Sequence, residues 1–191
     1  MDESSPITVA PQYINTNEVP GVLGLGLQSA SFSPDPKTPD PEPRPSMTIA
    51  EKQAEIIAEF EKLSDWEARY QKIIERGKAM PDLAEQYKLE KNKVKGCQST
   101  VWLHAELEGD RVKFLGDSDA MIVRGLVALV LYVYSGETPA TILATPPDFI
   151  AKTGLGSHLS QTRANGLAAM IKQIKNYAIA FDFLLKKKGA A

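Results

Sequence analysis

The sequence predicts an α+β domain: a small antiparallel sheet packed on one side by helices, behind a disordered N-terminal extension. Three observations carry this reading. Apolar residues recur at helical spacing between Ile49 and Ile74. They switch to strict alternation after Cys97, and a nearly unbroken apolar run then fills Met121 to Tyr134.

The extension comprises residues 1–46. It holds nine of the chain's thirteen prolines, and six acids (Asp2, Glu3, Glu18, Asp35, Asp40, Glu42) against two bases (Lys37, Arg44). Such a run lacks backbone donors and favours extended polyproline conformations, so it builds no core. It should be dispensable for stability and function. Residues 47–191 form the folded domain. The chain opens Met1-Asp2-Glu3, unlike the basic start of a secretory signal or an Arg-rich presequence, and a cytoplasmic location is expected. The Gly21-Val22-Leu23-Gly24-Leu25-Gly26 patch does not fit a nucleotide loop.

Within the domain, Thr48 and Glu51 form a capping box, followed by Ile49, Ile56, Ile57, Phe60 and Leu63 on one helix face. A second box, Ser64 to Glu67, opens a helix that buries Trp66, Tyr70, Ile73 and Ile74 and ends at Gly77. Lys78 to Lys95 is polar and broken by Pro81. It reads as loop with some helix, pinned by Met80, Leu83 and Leu89. Val101, Leu103, Ala105 and Leu107 alternate with Trp102, His104 and Glu106 as a strand. Glu108-Gly109-Asp110 turns it into a partner from Arg111 to Leu115. Two strands are marginal alone, so helices must cover one face.

Gly116 to Asp119 reads as caps for the apolar helix that follows, in which Arg124 is the sole charge and which should be central. Its uncharged stretch, Gly125 to Tyr134, is far short of the roughly 20 apolar residues of a membrane span, so it is a core helix. Thr138-Pro139 and Pro146-Pro147 start short helices. Ser160 caps a final helix with Leu167, Met170, Ile171, Ile174, Ala178, Phe181 and Leu185 as its buried stripe. Lys186, Lys187 and Lys188 suit the negative end of that helix's dipole, as a solvated terminus rather than a membrane contact.

Composition excludes several functions. Hydrophobic content of 43%, charged content of 24% and a net charge of −2 describe an ordinary globular protein with no nucleic-acid signature. No membrane partner is expected. One cysteine, Cys97, and two histidines, His104 and His158, make a metal site a poor fit, so none is expected. A Cys/His hydrolase fares no better. His104 lies seven residues along a strand, roughly 20 Å from Cys97 at about 3.3 Å per residue.

A lone cysteine is a structural thiol, a thiol that oligomerises, or a nucleophile that passes chemistry to another protein. Its neighbours favour the last. Lys93 and Lys95 should raise the local potential and favour thiolate, and Gly96 permits a sharp turn and close approach. Sulfur transfer needs only such a thiolate, access and shelter for the product. Val101, Trp102 and the helix from Met121 to Tyr134 offer material for that shelter, with Gly96 as hinge.

Gly96-Cys97-Gln98-Ser99 with Val101-Trp102 resembles the cysteine signature of the SufE family of sulfur acceptors. Gly116 to Ala120 with Ile122 to Leu126 resembles the family's second block. His158-Leu159-Ser160, Arg163, Gly166-Leu167 and Ala169-Met170-Ile171 resemble its third. The likeness spans about residues 47–180. It implies a SufE/IscU-like fold, and an accessory sulfur-transfer protein rather than a stand-alone enzyme. Such a protein takes persulfide sulfur from a pyridoxal-phosphate cysteine desulfurase (SufS- or CsdA-like), stimulates that enzyme, and serves an iron–sulfur scaffold such as SufBCD. Cys97 then matches the sulfur-accepting nucleophile. Gly96, Gln98, Asp119 and Arg163 are implied as partner-binding or loop-supporting residues, beside the plainer readings of Asp119 as a helix cap and Arg163 as an exposed charge. No cofactor of its own is implied, since pyridoxal phosphate belongs to the desulfurase. A purely regulatory desulfurase-binding module and a single-cysteine redox protein are the alternatives. Monomer and homodimer are both compatible with the sequence.

Overall fold

A computed structural model describes residues 47–189, so the reading of residues 1–46 as disordered lies outside the described residues. Helix α1 spans Ile49–Glu61 and starts at the expected capping box. Thr48 Oγ1 accepts from the Glu51 amide at 3.3 Å, and the Glu51 carboxylate accepts from the Thr48 amide at 2.7 Å. Its buried face is Ile49, Ile56 and Phe60.

Helix α2, Trp66–Ala79, departs from expectation at both ends. Its cap is Asp65, whose Oδ1 accepts from the Ala68 amide at 2.8 Å, while Ser64 merely donates to Asp65. Gly77 does not end the helix; it lies inside it. A Cβ there would come 2.8 Å from the amide nitrogen of Gly125. The glycine is needed for close helix packing, not for a left-handed turn.

Residues 80–100 hold two single 3₁₀ turns, Glu85–Tyr87 and Glu90–Asn92. Leu83 is buried beneath them and Met80 packs against the core, but Leu89 is exposed and pins nothing.

Strands β1 (Val101–Glu108) and β2 (Arg111–Ser118) pair antiparallel in the register Val101↔Ser118 to Glu108↔Arg111, with Gly109 at φ +65° in the turn. β2 is three residues longer than predicted. Gly116, expected among the caps of the next helix, instead lies in β2 and pairs with Leu103, and a Cβ there would meet Val127 at 2.9 Å, so the glycine serves a close sheet–helix contact.

Val101, Leu103, Ala105, Val112 and Phe114 point into the core. The other face carries Trp102, His104 and Glu106 and is covered by the 3₁₀ segment, where Tyr87 stacks on His104 at 4.4 Å and donates to Glu106 at 2.7 Å. Both sheet edges are partly closed. The Val94 amide donates to Val101 O, and the Val112 amide donates to Glu137 O, each at 2.8 Å.

Helix α3 (Met121–Tyr134) crosses the inner face and packs hard on α2. Helices α4 (Pro139–Ala144), α5 (Asp148–Lys152) and α6 (Leu155–His158) lead to α7 (Gln161–Gly189). Thr138 caps α4, with Pro139 in its first turn as expected. On α7 the fully buried stripe runs from Leu167 to Ala178; Phe181 and Leu185 are only half-buried. The helices thus lie on one side of the hairpin, giving the predicted α+β architecture. Among the described residues, no helix is long and apolar enough to cross a membrane.

Candidate functional site

Cys97 lies on the loop that leads into β1, held between the start of α3 and the first turns of α7. Gly96 precedes it at φ +95°, a left-handed conformation that favours glycine and turns the chain so that the cysteine faces α7. Cys97 is half-buried. Its thiol donates to the Gly166 carbonyl at 3.6 Å, and a Cβ on Gly166 would stand 3.2 Å from Sγ.

The sulfur looks into a cavity of about 250 Å³. Ala120, Ile122, Val123 and Leu126 form one wall. Thr162, Arg163, Gly166 and Met170 of α7 form the other, with Gln98 and Ser99 at the loop side. The wall material expected from Val101 and Trp102 is elsewhere. Alternation sends Val101 into the core and Trp102 to the opposite sheet face, where the Lys88 ammonium lies 5.9 Å from its ring. Nothing in the loop's own sequence announces the contribution of α7, although Arg163, Gly166 and Met170 all stand in the third block of the signature.

Downstream, the loop is fastened at Thr100. Its amide donates to Asp119 Oδ1 at 3.0 Å, and its carbonyl accepts from Ser118 Oγ at 2.8 Å and from the Asp119 amide at 3.3 Å. Asp119 therefore does not cap α3, whose N-cap is Ala120 with no side-chain bond. Behind this clasp Asp117 is buried, with Arg124 at 3.3 Å and Lys88 at 3.5 Å. Arg163 and Gln98 line the cavity directly, while Gly96 acts through the backbone.

Burial pushes the Cys97 thiol up, and no charged neighbour offsets it. The expected help from lysines is missing for a geometric reason. Lys93 is paired with Glu90 at 2.6 Å, and neither Lys93 nor Lys95 lines the cavity.

The histidines are occupied elsewhere. His104 is stacked under Tyr87, with Nε2 3.3 Å from Glu106, and His158 stacks on Trp66 at 3.8 Å. Among the described residues, no three of His, Cys, Asp or Glu converge as metal ligands.

Residues 54–178 match the family described as "SufE: Fe-S metabolism associated domain". The chain belongs to the SufE family. A SufE-like protein of Rhizobium etli is 48% identical over 129 residues, covering 65% of this chain and 87% of that one. One from Rhizobium meliloti is 46% identical over 129 residues (65% and 92%), and one from Synechocystis sp. is 40% identical over 135 residues (71% and 85%). Among solved structures, the solution structure of a hypothetical protein from Thermus thermophilus superposes with a TM-score of 0.58 at 26% identity, covering 68% of this chain and 95% of that one. SufE membership puts the chain in iron–sulfur metabolism with an accessory sulfur-transfer role. All three blocks of the resemblance fall inside the matched span, and the last turns of α7 lie beyond it.

Proposed function

We propose that Cys97 is a persulfide acceptor for a pyridoxal-phosphate cysteine desulfurase, SufS- or CsdA-like, and that the protein passes the sulfur on to an iron–sulfur scaffold in the cytoplasm. The observation that carries the reading is the setting of Cys97: a sulfur on a glycine-hinged loop, facing a cavity large enough for one more sulfur atom.

The step is a thiol–persulfide exchange. Cys97 gives up its proton, and its thiolate attacks the outer sulfur of the donor's persulfide. The donor S–S bond breaks, a new S–S bond forms on Cys97, and the donor thiolate leaves and takes up a proton. No external oxidant or metal is needed. In the free protein the raised thiol pKa keeps Cys97 protonated and slow to react with stray electrophiles, so activation falls to the docked state, in which the loop opens toward the donor. Gln98 and Arg163, at the cavity mouth, are then placed to meet the partner or the charged persulfide. Pyridoxal phosphate stays with the desulfurase.

Mass spectrometry tests the assignment. After incubation with desulfurase and free cysteine, Cys97 should gain the mass of one sulfur atom. Cys97→Ser should gain none and should no longer stimulate the enzyme, while remaining folded. A folded Cys97→Ser protein that stimulates fully would leave the regulatory-module reading in its place.

A further inference from the structure

The C-terminal turns of α7 carry an apolar pair that faces outward, away from the core. Ile179 and Phe183, four residues apart and hence on one face, are 57% and 67% exposed, and Leu184 at the rim is 45% exposed. The same face bears Lys172 seven residues before Ile179, and Lys186 and Lys187 just after Phe183. Across Gln161–Gly189 there are six bases against one acid, Asp182, and that acid is taken by Lys186 at 2.7 Å. The lysines alone would suit a solvated helix end. An outward apolar pair bracketed by them changes that reading.

We infer that this end of α7 is a peripheral docking element for an anionic phospholipid surface. The charge pattern selects the occupant. Pairing α7 with a second copy would set lysines together in either direction: parallel helices align Lys186–Lys188 with themselves, and antiparallel ones centred between Ile179 and Phe183 set Lys187 opposite Lys175. Ile171, Ile174 and Ala178 are buried in this protein's own core, so no partner can wrap the helix all round. A bilayer needs only one convex face. Ile179, Phe183 and Leu184 enter the acyl boundary, and the lysine stems reach sideways to the phosphates. The element is peripheral and independent of the Cys97 chemistry.

The test is co-sedimentation of the full chain with vesicles of phosphatidylcholine alone, or with about 30% phosphatidylglycerol as a bacterial-type anionic surface. Binding should appear only with phosphatidylglycerol and weaken as salt rises. Ile179→Glu with Phe183→Glu should lower the partition coefficient by about tenfold or more, as should changing Lys186, Lys187 and Lys188 together to Gln. These side chains are exposed, so circular dichroism and thermal melting should match the parent, and the lysine variant gives a second reading if the glutamate pair frays the helix. Absence of binding by the parent, equal binding to both vesicle types, or an unaffected glutamate pair would each overturn the inference. So would sedimentation velocity showing a dimer that the glutamate pair dissociates while vesicles bind nothing, which would assign the face to a second copy.

Discussion

The thiol of Cys97 points at the carbonyl of Gly166, 3.6 Å away, across a gap that only a glycine leaves open. The contact joins residues 69 positions apart and sets how deeply the sulfur sits. It also makes Gly166, an ordinary helix residue in the sequence, part of the site.

Gly166→Ala tests that relationship. The new Cβ would stand 3.2 Å from Sγ, so the thiol must give way, and the open side of the loop is the direction available. Cys97 should become several-fold faster to alkylate with iodoacetamide. Stability should hold or rise, since alanine gains about 1 kcal/mol over glycine in a helix interior, offset by the local clash. An unchanged alkylation rate in a folded variant would show that Gly166 does not govern access.

Alkaline pH should separate the native thiol from an ordinary one. Burial raises the folded pKa above its usual value of 9.0, so deprotonation favours the unfolded chain. This contribution to stability is intact below the unfolded thiol's pKa and is lost as pH rises toward the folded one. The alkylation rate of free protein should therefore titrate at higher pH than a small model thiol. Cys97→Ser should show a shallower loss of melting temperature above pH 9.0, the ordinary thiol value. A midpoint below the model thiol's would mean that a cation stabilises the thiolate after all.

Gly125→Ala should be far more damaging than any change in the loop. Its Cβ would collide with the carbonyl oxygen of Ile73, a backbone atom that cannot step aside. Helices α2 and α3 would have to separate, at about 3 kcal/mol or more by analogy with overpacked cores. Gly77→Ala, meeting backbone at 2.8 Å, should lose less. Urea denaturation of the two variants gives the order directly.

The secondary structure was largely legible because its signals are local. The Thr48 box, the alternation through Ala105, the turn at Gly109 and the apolar α3 each declare themselves within a few residues. The misreadings share one cause. Gly77 and Gly116 carry the same letter as a helix stop or a helix cap, but they are glycines because another element's backbone or side chain lies against them. Asp119 sits where a cap would sit, yet its carboxylate bonds to Thr100 on the neighbouring loop.

Sequence alone determined the element order, the α+β class, the single candidate nucleophile and the family likeness, since each rests on pattern along the chain. Tertiary structure decided what surrounds that nucleophile. It brought the start of α3 and the first turns of α7 to either side of Cys97, sent Trp102 to the far face, and paired Lys93 with Glu90 away from the sulfur. Desolvation and contact depend on distance in space. A thiol flanked by lysines in the sequence is therefore governed, once folded, by its burial between α3 and α7.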